Sequence, residues 1–124
     1  TREPEVYGHA TFSDLVDLCV STGESLGLDV EVRQTNDEGE LIDWLHEATD
    51  RRVAVVLNPG AFTHYSYAVR DACASLVAPL IEVHISNPAS REEFRHTSVI
   101  SGVATGTIAG FGLQSYVLAL QALV

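Results

Sequence analysis

Apolar residues in this sequence change period repeatedly along the chain, and that switching constrains the fold more than any other feature. Residues 53–57, Val-Ala-Val-Val-Leu, form an unbroken apolar run, the pattern of a strand covered on both faces. Residues 79–84 read as a second buried strand and 106–110 as a short last one. Residues 28–33 alternate apolar and charged side chains, as a half-buried strand does. The intervening stretches carry helical spacing instead. Residues 11–26 bring Leu15, Val16, Leu18, Cys19 and Leu26 together and reach a stop at Gly27. Thr35-Asn36-Asp37-Glu38 reads as a capping box that opens a helix with Leu41, Ile42, Leu45 and Ala48 inward. Residues 66–76 predict a helix, and Ser90-Arg91-Glu92-Glu93 caps a short one. The chain closes on a helix carrying Leu113, Tyr116, Val117, Leu120 and Leu123. Strands alternating with helices imply an α/β fold with a parallel sheet and right-handed crossovers. With 124 residues, 46% of them hydrophobic, the expectation is one domain, 1–124, around a single core.

In open parallel sheets a ligand sits outside the carboxyl ends of the strands. That rule directs attention to residues 34–36, 58–64, 84–88 and 111–114, and most of the unusual polar residues fall in the second and third of these loops. Glu82 and His84 are two apart on a strand, so they share one face. A carboxylate beside an imidazole fixes its tautomer and suits it to general acid chemistry near neutral pH; a satisfied core pair is the alternative. His64 ends the loop after the preceding strand and either faces the same cleft or starts a helix. Asn58-Pro59-Gly60 offers an amide at a strand end for hydroxyls or a carboxylate, or is plain turn chemistry. Ile85-Ser86-Asn87 can present backbone N–H groups to a carboxylate. Arg91 and Arg95, spaced i,i+4, point to an anionic ligand or to a solvated helix face. Gly110-Phe111-Gly112 is read as a structural turn, because it lacks the third glycine of a phosphate-binding loop. Trp44 is read as core or interface packing.

Several function classes are excluded or disfavoured. The net charge of −10 supplies no basic footprint for nucleic acid or an anionic membrane. No apolar run approaches the ~18 to 20 residues of a membrane span. Cys19 and Cys73 are expected as buried free thiols of a cytoplasmic protein. All seven basic residues are arginines, so the Schiff-base chemistry of a lysine amine is unavailable to this stretch of chain. His64, Glu82, His84 and His96 do not show the spacing of a metal site, and no metal is expected. Arg2 and Tyr7 share a segment with a glycine and a proline, which reads as a mobile loop; a nearby arginine favours an ionised tyrosine, which is otherwise too scarce at neutral pH to act as a base.

Taken in order, Arg-Glu-Pro-x-x-Tyr-Gly at 2–8, Asn-Pro-Gly-Ala-Phe-Thr-His at 58–64, Asp71, Glu-Val-His-Ile-Ser-Asn at 82–87 and Arg-Glu-Glu-Phe-Arg at 91–95 closely resemble type II 3-dehydroquinate dehydratase. The resemblance runs over essentially the whole chain, through the Gly-Phe-Gly-Leu-Gln-Ser-Tyr stretch at 110–116. It implies a flavodoxin-like three-layer sandwich, a dodecamer built as a tetramer of trimers, and no cofactor. It also implies anti elimination of water from 3-dehydroquinate through an enolate. By resemblance Tyr7 is the base, Arg2 the residue that favours its ionised form, His84 the general acid and Glu82 the partner behind it. Asn58, His64, Ile85, Ser86 and Arg95 correspond to substrate-holding positions, and Asp71 to a carboxylate reaching the site of an adjacent subunit. Family members begin with a strand that this sequence starts after, so roughly 15 to 20 residues and the central strand are expected ahead of Thr1. The rival readings are a non-catalytic flavodoxin-like module for small anions and a metal-dependent hydrolase.

Overall fold

The structure, a computed structural model, describes residues 11–85 and 98–124. Helix α1 spans Phe12–Leu26 and opens on a full capping box: Thr11 Oγ1 accepts from the Asp14 N–H at 3.1 Å, and Asp14 accepts from the Thr11 N–H at 2.9 Å. It stops at Gly27, whose φ of 76° is a left-handed conformation that side chains resist. Helix α2 spans Glu38–Arg51. Its cap is Asp37, two residues beyond the expected Thr35: Asp37 Oδ1 accepts from the N–H groups of Gly39 and Glu40, and Thr35 Oγ1 accepts from the Asp37 N–H. A carboxylate outcompetes a hydroxyl beside the positive end of a helix.

Strands β1 (Val55–Leu57), β2 (Leu80–His84) and β3 (Gly106–Ala109) form a parallel sheet in the order β1-β2-β3. A 3₁₀ turn at Gly60–His64 and helix α3 (Tyr67–Ala74) connect β1 to β2, and helix α4 (Gln114–Gln121) follows β3. Pairing of Leu57 with Glu82 and of Glu82 with Thr107 leaves β2 flanked on both sides. Side chains alternate across the sheet. Leu57 and Leu80 pack with Leu41 and Leu45 of α2 and Val69, Ala72 and Cys73 of α3. Ile81 and Val83 pack with Cys19 of α1 and Tyr116, Ala119 and Leu120 of α4. Two helix layers thus enclose a parallel sheet, the α/β sandwich that the sequence predicts, and both cysteines are buried and free. Ser66 Oγ, the cap of α3, donates to Glu38 at the start of α2 at 2.5 Å, which fixes the two helices on that face together. The short helix expected from residue 90 lies outside the described residues.

One expected element is absent. Residues 28–33 form no strand, because among the described residues none runs a backbone ladder along them. Their alternation still holds: Leu28, Val30 and Val32 pack on the α1–α4 core while Asp29, Glu31 and Arg33 face outward. Alternation reports which face is buried, whereas a strand also requires a neighbour's N–H and C=O groups. A cleft of about 800 Å³ separates this segment from β1. The segment is held instead by Arg33, which bonds Glu31 at 2.8 Å, grips both carboxylate oxygens of Glu47, and lies 5.5 Å from the centroid of Trp44. Trp44 is therefore half-buried under an arginine.

Gly23 sets how closely α1 approaches this segment. A Cβ there would lie 3.1 Å from the Leu28 carbonyl oxygen and closer still to Val30 Cγ2. Alanine improves helix propensity by ~1 kcal/mol, but the clash with a stiff β-branched side chain and a backbone oxygen costs about 1–3 kcal/mol. Gly23→Ala is expected to lower the urea midpoint; an unchanged or raised midpoint means that the segment shifts freely.

Candidate active site

The site is built where β2 ends. Glu82 and His84 project from the same face of that strand, toward α3. Glu82 is completely buried, at 0% exposure, yet no atom of its carboxylate lacks a partner. Oε2 lies 2.6 Å from His84 Nε2 and accepts from Thr63 Oγ1 at 2.5 Å. Oε1 accepts from Ser101 Oγ at 2.8 Å, and Ser98 Oγ approaches Oε2 to 3.2 Å. Burial alone pushes a carboxyl upward, but the hydrogen bonds from His84, Thr63 and Ser101 and the His84 charge outweigh it, and Glu82 is held down at about 2. The neighbouring Cys73 thiol on α3 is pushed up to about 12, by burial first and then by the Glu82 charge. Cys73 is thus a buried neutral group, unsuited to nucleophilic chemistry.

The loop after β1 reaches the same place. Asn58 Oδ1 accepts from the Gly60 N–H at 3.1 Å and so turns the chain, with Gly60 at a φ of 59°. Its amide nitrogen donates to the Tyr116 hydroxyl of α4 at 3.0 Å, which leaves one amide hydrogen for another acceptor. Asn58 thus makes the turn expected of it, and its amide is anchored on Tyr116. The 3₁₀ turn then carries Thr63 inward to Glu82, with half-buried His64 next to it at the end of the turn. Ile85 is buried, and its carbonyl accepts from the Gly112 N–H at 2.9 Å, while the His84 carbonyl accepts from the Gly110 N–H at 3.1 Å. Gly110-Phe111-Gly112 is thus the structural turn expected, with the Phe111 N–H closed onto Ser115 Oγ at 3.2 Å.

The described structure brings Asn58, His64, Glu82, His84 and Ile85 to one end of the sheet. Asp71 stands apart on α3, with its side chain 79% exposed and 3.9 Å from Arg70. Arg2, Tyr7, Ser86, Asn87, Arg91 and Arg95 lie outside the described residues. Among the described residues, no group of three or more His, Cys, Asp and Glu is placed to hold a metal ion. Sequence reasoning missed Ser98 and Ser101 entirely, and read Thr63 only as part of a loop and Tyr116 only as core. Hydroxyl residues in irregular segments carry no periodic signal.

Comparison with known proteins is consistent with this geometry. The family model described as dehydroquinase class II matches residues 1–124. A 3-dehydroquinate dehydratase of Salinispora tropica is 63% identical over 121 residues, covering 98% of this chain and 85% of that protein. One from Halalkalibacterium halodurans is 54% identical over 123 residues, covering 99% of this chain and 85% of its own length. The crystal structure of type II dehydroquinase from Propionibacterium acnes is similar with a TM-score of 0.96 and 56% identity, over 98% of this chain and 84% of that one.

A depressed carboxyl contributes stability that is complete above its unfolded value and is lost as pH falls through the folded one. For Glu82, between its ordinary 4.5 and about 2, this contribution is on the order of 3 kcal/mol. Wild-type stability should therefore fall between about pH 4.5 and pH 2, and Glu82→Gln should flatten that fall while lowering stability at pH 7. Urea midpoints at pH 7 and pH 3 check this; parallel pH slopes for the two proteins refute the assignment.

Proposed function

The chain belongs to the class II dehydroquinase family, and from that premise we propose that it eliminates water from 3-dehydroquinate, giving 3-dehydroshikimate by way of an enolate. Members of this family are hydro-lyases, and the Glu82–His84 hydrogen bond at the carboxyl end of the central β2 strand is the observation that carries the reading for this chain. In the proposed cycle Tyr7, ionised beside Arg2, removes the proton at C2, next to the C3 ketone. The electron pair moves onto the carbonyl oxygen as an enolate. When that charge returns, the double bond forms between C1 and C2, and the C1 hydroxyl leaves as water with a proton from His84. Tyr7 then releases its proton and His84 regains one, so the cycle is redox-neutral and uses no cofactor. The carboxylate behind the imidazole, 2.6 Å from Nε2, holds the ring in place for its role as the acid.

Substrate holding falls to Asn58, His64, Ile85, Ser86 and Arg95. The remaining Asn58 amide hydrogen and the position of Ile85 directly after β2 support that placement. Asp71, exposed on α3, suits a role in a neighbouring subunit's site within a dodecamer arranged as a tetramer of trimers. The proposed setting is the cytoplasm and the shikimate pathway. Among the described residues no helix is long and apolar enough to cross a membrane. A module that only binds anions has no use for a buried carboxylate behind an imidazole, so the dehydratase reading is preferred to it.

Incubation with 3-dehydroquinate should produce the ultraviolet absorbance of a conjugated enone. Tyr7→Phe and His84→Ala should each lower turnover by ~10²- to 10⁴-fold, the scale of general acid–base steps. Activity should persist in chelator, and in borohydride with substrate present, because neither a metal nor an imine takes part. Normal turnover by Tyr7→Phe would remove Tyr7 as the base, and loss of activity to either reagent would overturn the mechanism.

A further inference from the structure

The four groups around Glu82 form a network whose direction can be worked out from one end. Ser98 Oγ accepts two backbone N–H groups, those of Ile100 at 3.2 Å and Ser101 at 3.0 Å. A hydroxyl has two acceptor positions and one proton. With both acceptor positions used, Ser98 must send its proton outward, and the near oxygens are Thr63 Oγ1 at 2.7 Å and Glu82 Oε2 at 3.2 Å. The shorter contact makes Thr63 the acceptor, so Thr63 passes its own proton to Glu82 Oε2 at 2.5 Å. Ser101 Oγ donates to Oε1 at 2.8 Å. The Thr63 and Ser101 protons thus point at the carboxylate, the Ser98 proton backs Thr63, and no group of the network is left to accept a proton from the carboxylate. The nitrogen 2.6 Å from Oε2, His84 Nε2, must then also be a donor.

We propose that Thr63, Ser98 and Ser101 are positioning residues that keep Glu82 an obligate acceptor, fix the neutral His84 ring with its proton on Nε2, and so reserve Nδ1 as the nitrogen that exchanges protons with substrate. The titratable groups facing Glu82 among the described residues are His84 on β2 and Cys73 on α3. Cys73 stays neutral, which leaves the imidazole as the group whose state the network governs. The network also joins three separate segments. The Val99 N–H donates to the Thr63 carbonyl at 2.6 Å, so the loop after β1 and the 98–101 turn are bonded through both side chain and backbone. Displacement of either loop is thereby felt at the imidazole.

The inference rests on the dehydratase reading, and its test separates the two. Nitrogen-15 spectra of histidine-labelled full enzyme, recorded at alkaline pH, report which ring nitrogen bears hydrogen. The wild type should show His84 as the Nε2–H tautomer alone. Thr63→Val, close in shape but without the hydroxyl, should give a mixed tautomer population and a kcat lower by about ten- to hundredfold with KM within about twofold, the effect of losing one hydrogen bond to a charged group. Ser101→Ala should act in the same direction, and Ser101→Thr should restore both readouts. Should Thr63→Val fail to fold, the Ser101 pair carries the same test. Hydrogen on Nδ1 in the wild type, or wild-type tautomer and kcat in both variants, would overturn the proposal. A wild type with the Nε2–H tautomer but no turnover of 3-dehydroquinate would support the network and overturn the dehydratase reading instead.

Discussion

A carboxylate with no access to water is the constraint around which this structure is arranged. Moving an unpaired charge of that size into a protein interior costs several kcal/mol even after relaxation, so Glu82 persists only where donors surround it. Its own strand supplies one of these, His84; the loop after β1 supplies Thr63, and the turn before β3 supplies Ser101, with Ser98 of the same turn bonded to Thr63. None of these segments is close to another in sequence. The sheet order β1-β2-β3, with Glu82 paired to Leu57 on one side and Thr107 on the other, is what brings them within reach. The charge and the topology therefore depend on each other: a different strand order would leave the carboxylate without its hydroxyls.

Much of this was legible in the sequence, and the boundary between what was and what was not is physical. Periodicity reports burial, and it located the β2 core and the helix faces. The buried strand ending at His84, the face shared by Glu82 and His84, the stop at Gly27 and the turn at Gly110-Phe111-Gly112 all stand, whereas the run at 53–57 is a strand only over Val55–Leu57, with Leu57 buried and Val53 and Ala54 exposed. Residues 28–33 show the limit, since their alternation correctly marks which side chains pack inward but says nothing of a backbone neighbour. The cap of α2 shows another, because Thr35 and Asp37 both satisfy a capping pattern and only the local energetics choose between them. Ser98 and Ser101 were illegible for a different reason. Their importance arises from a contact with a strand 16 to 19 residues earlier in the chain, and a polar residue in a loop looks the same whether it faces water or a buried charge.

The acidity of the chain sharpens the role of such local arrangement. At a net charge of −10, long-range fields oppose an anionic substrate. Attraction must come from groups close at hand, and those fields are damped within about 10 Å at ordinary ionic strength. Neutral donors suit this situation. The Asn58 amide can hold a hydroxyl or a carboxylate by direction and distance, without adding a positive charge that would compete with His84 for Glu82.

Whether the Glu82–His84 pair stabilises the protein is separate from why it is built so. A buried ion pair is often no more stabilising than apolar residues of the same volume, and a Leu or Met pair would fill this space without needing three hydroxyls. Apolar residues, however, would leave an imidazole at this position free to choose its tautomer and its rotamer. The acceptor-only carboxylate removes that choice, because it requires hydrogen on the one ring nitrogen it contacts, Nε2. Its stabilising share appears only while the carboxyl is ionised, above about pH 2 and in full above 4.5, whereas its effect on the ring's orientation holds over the whole range in which an acid at His84 would operate. The same hydroxyls that offset the burial of the charge thus determine which face of the imidazole meets the ligand.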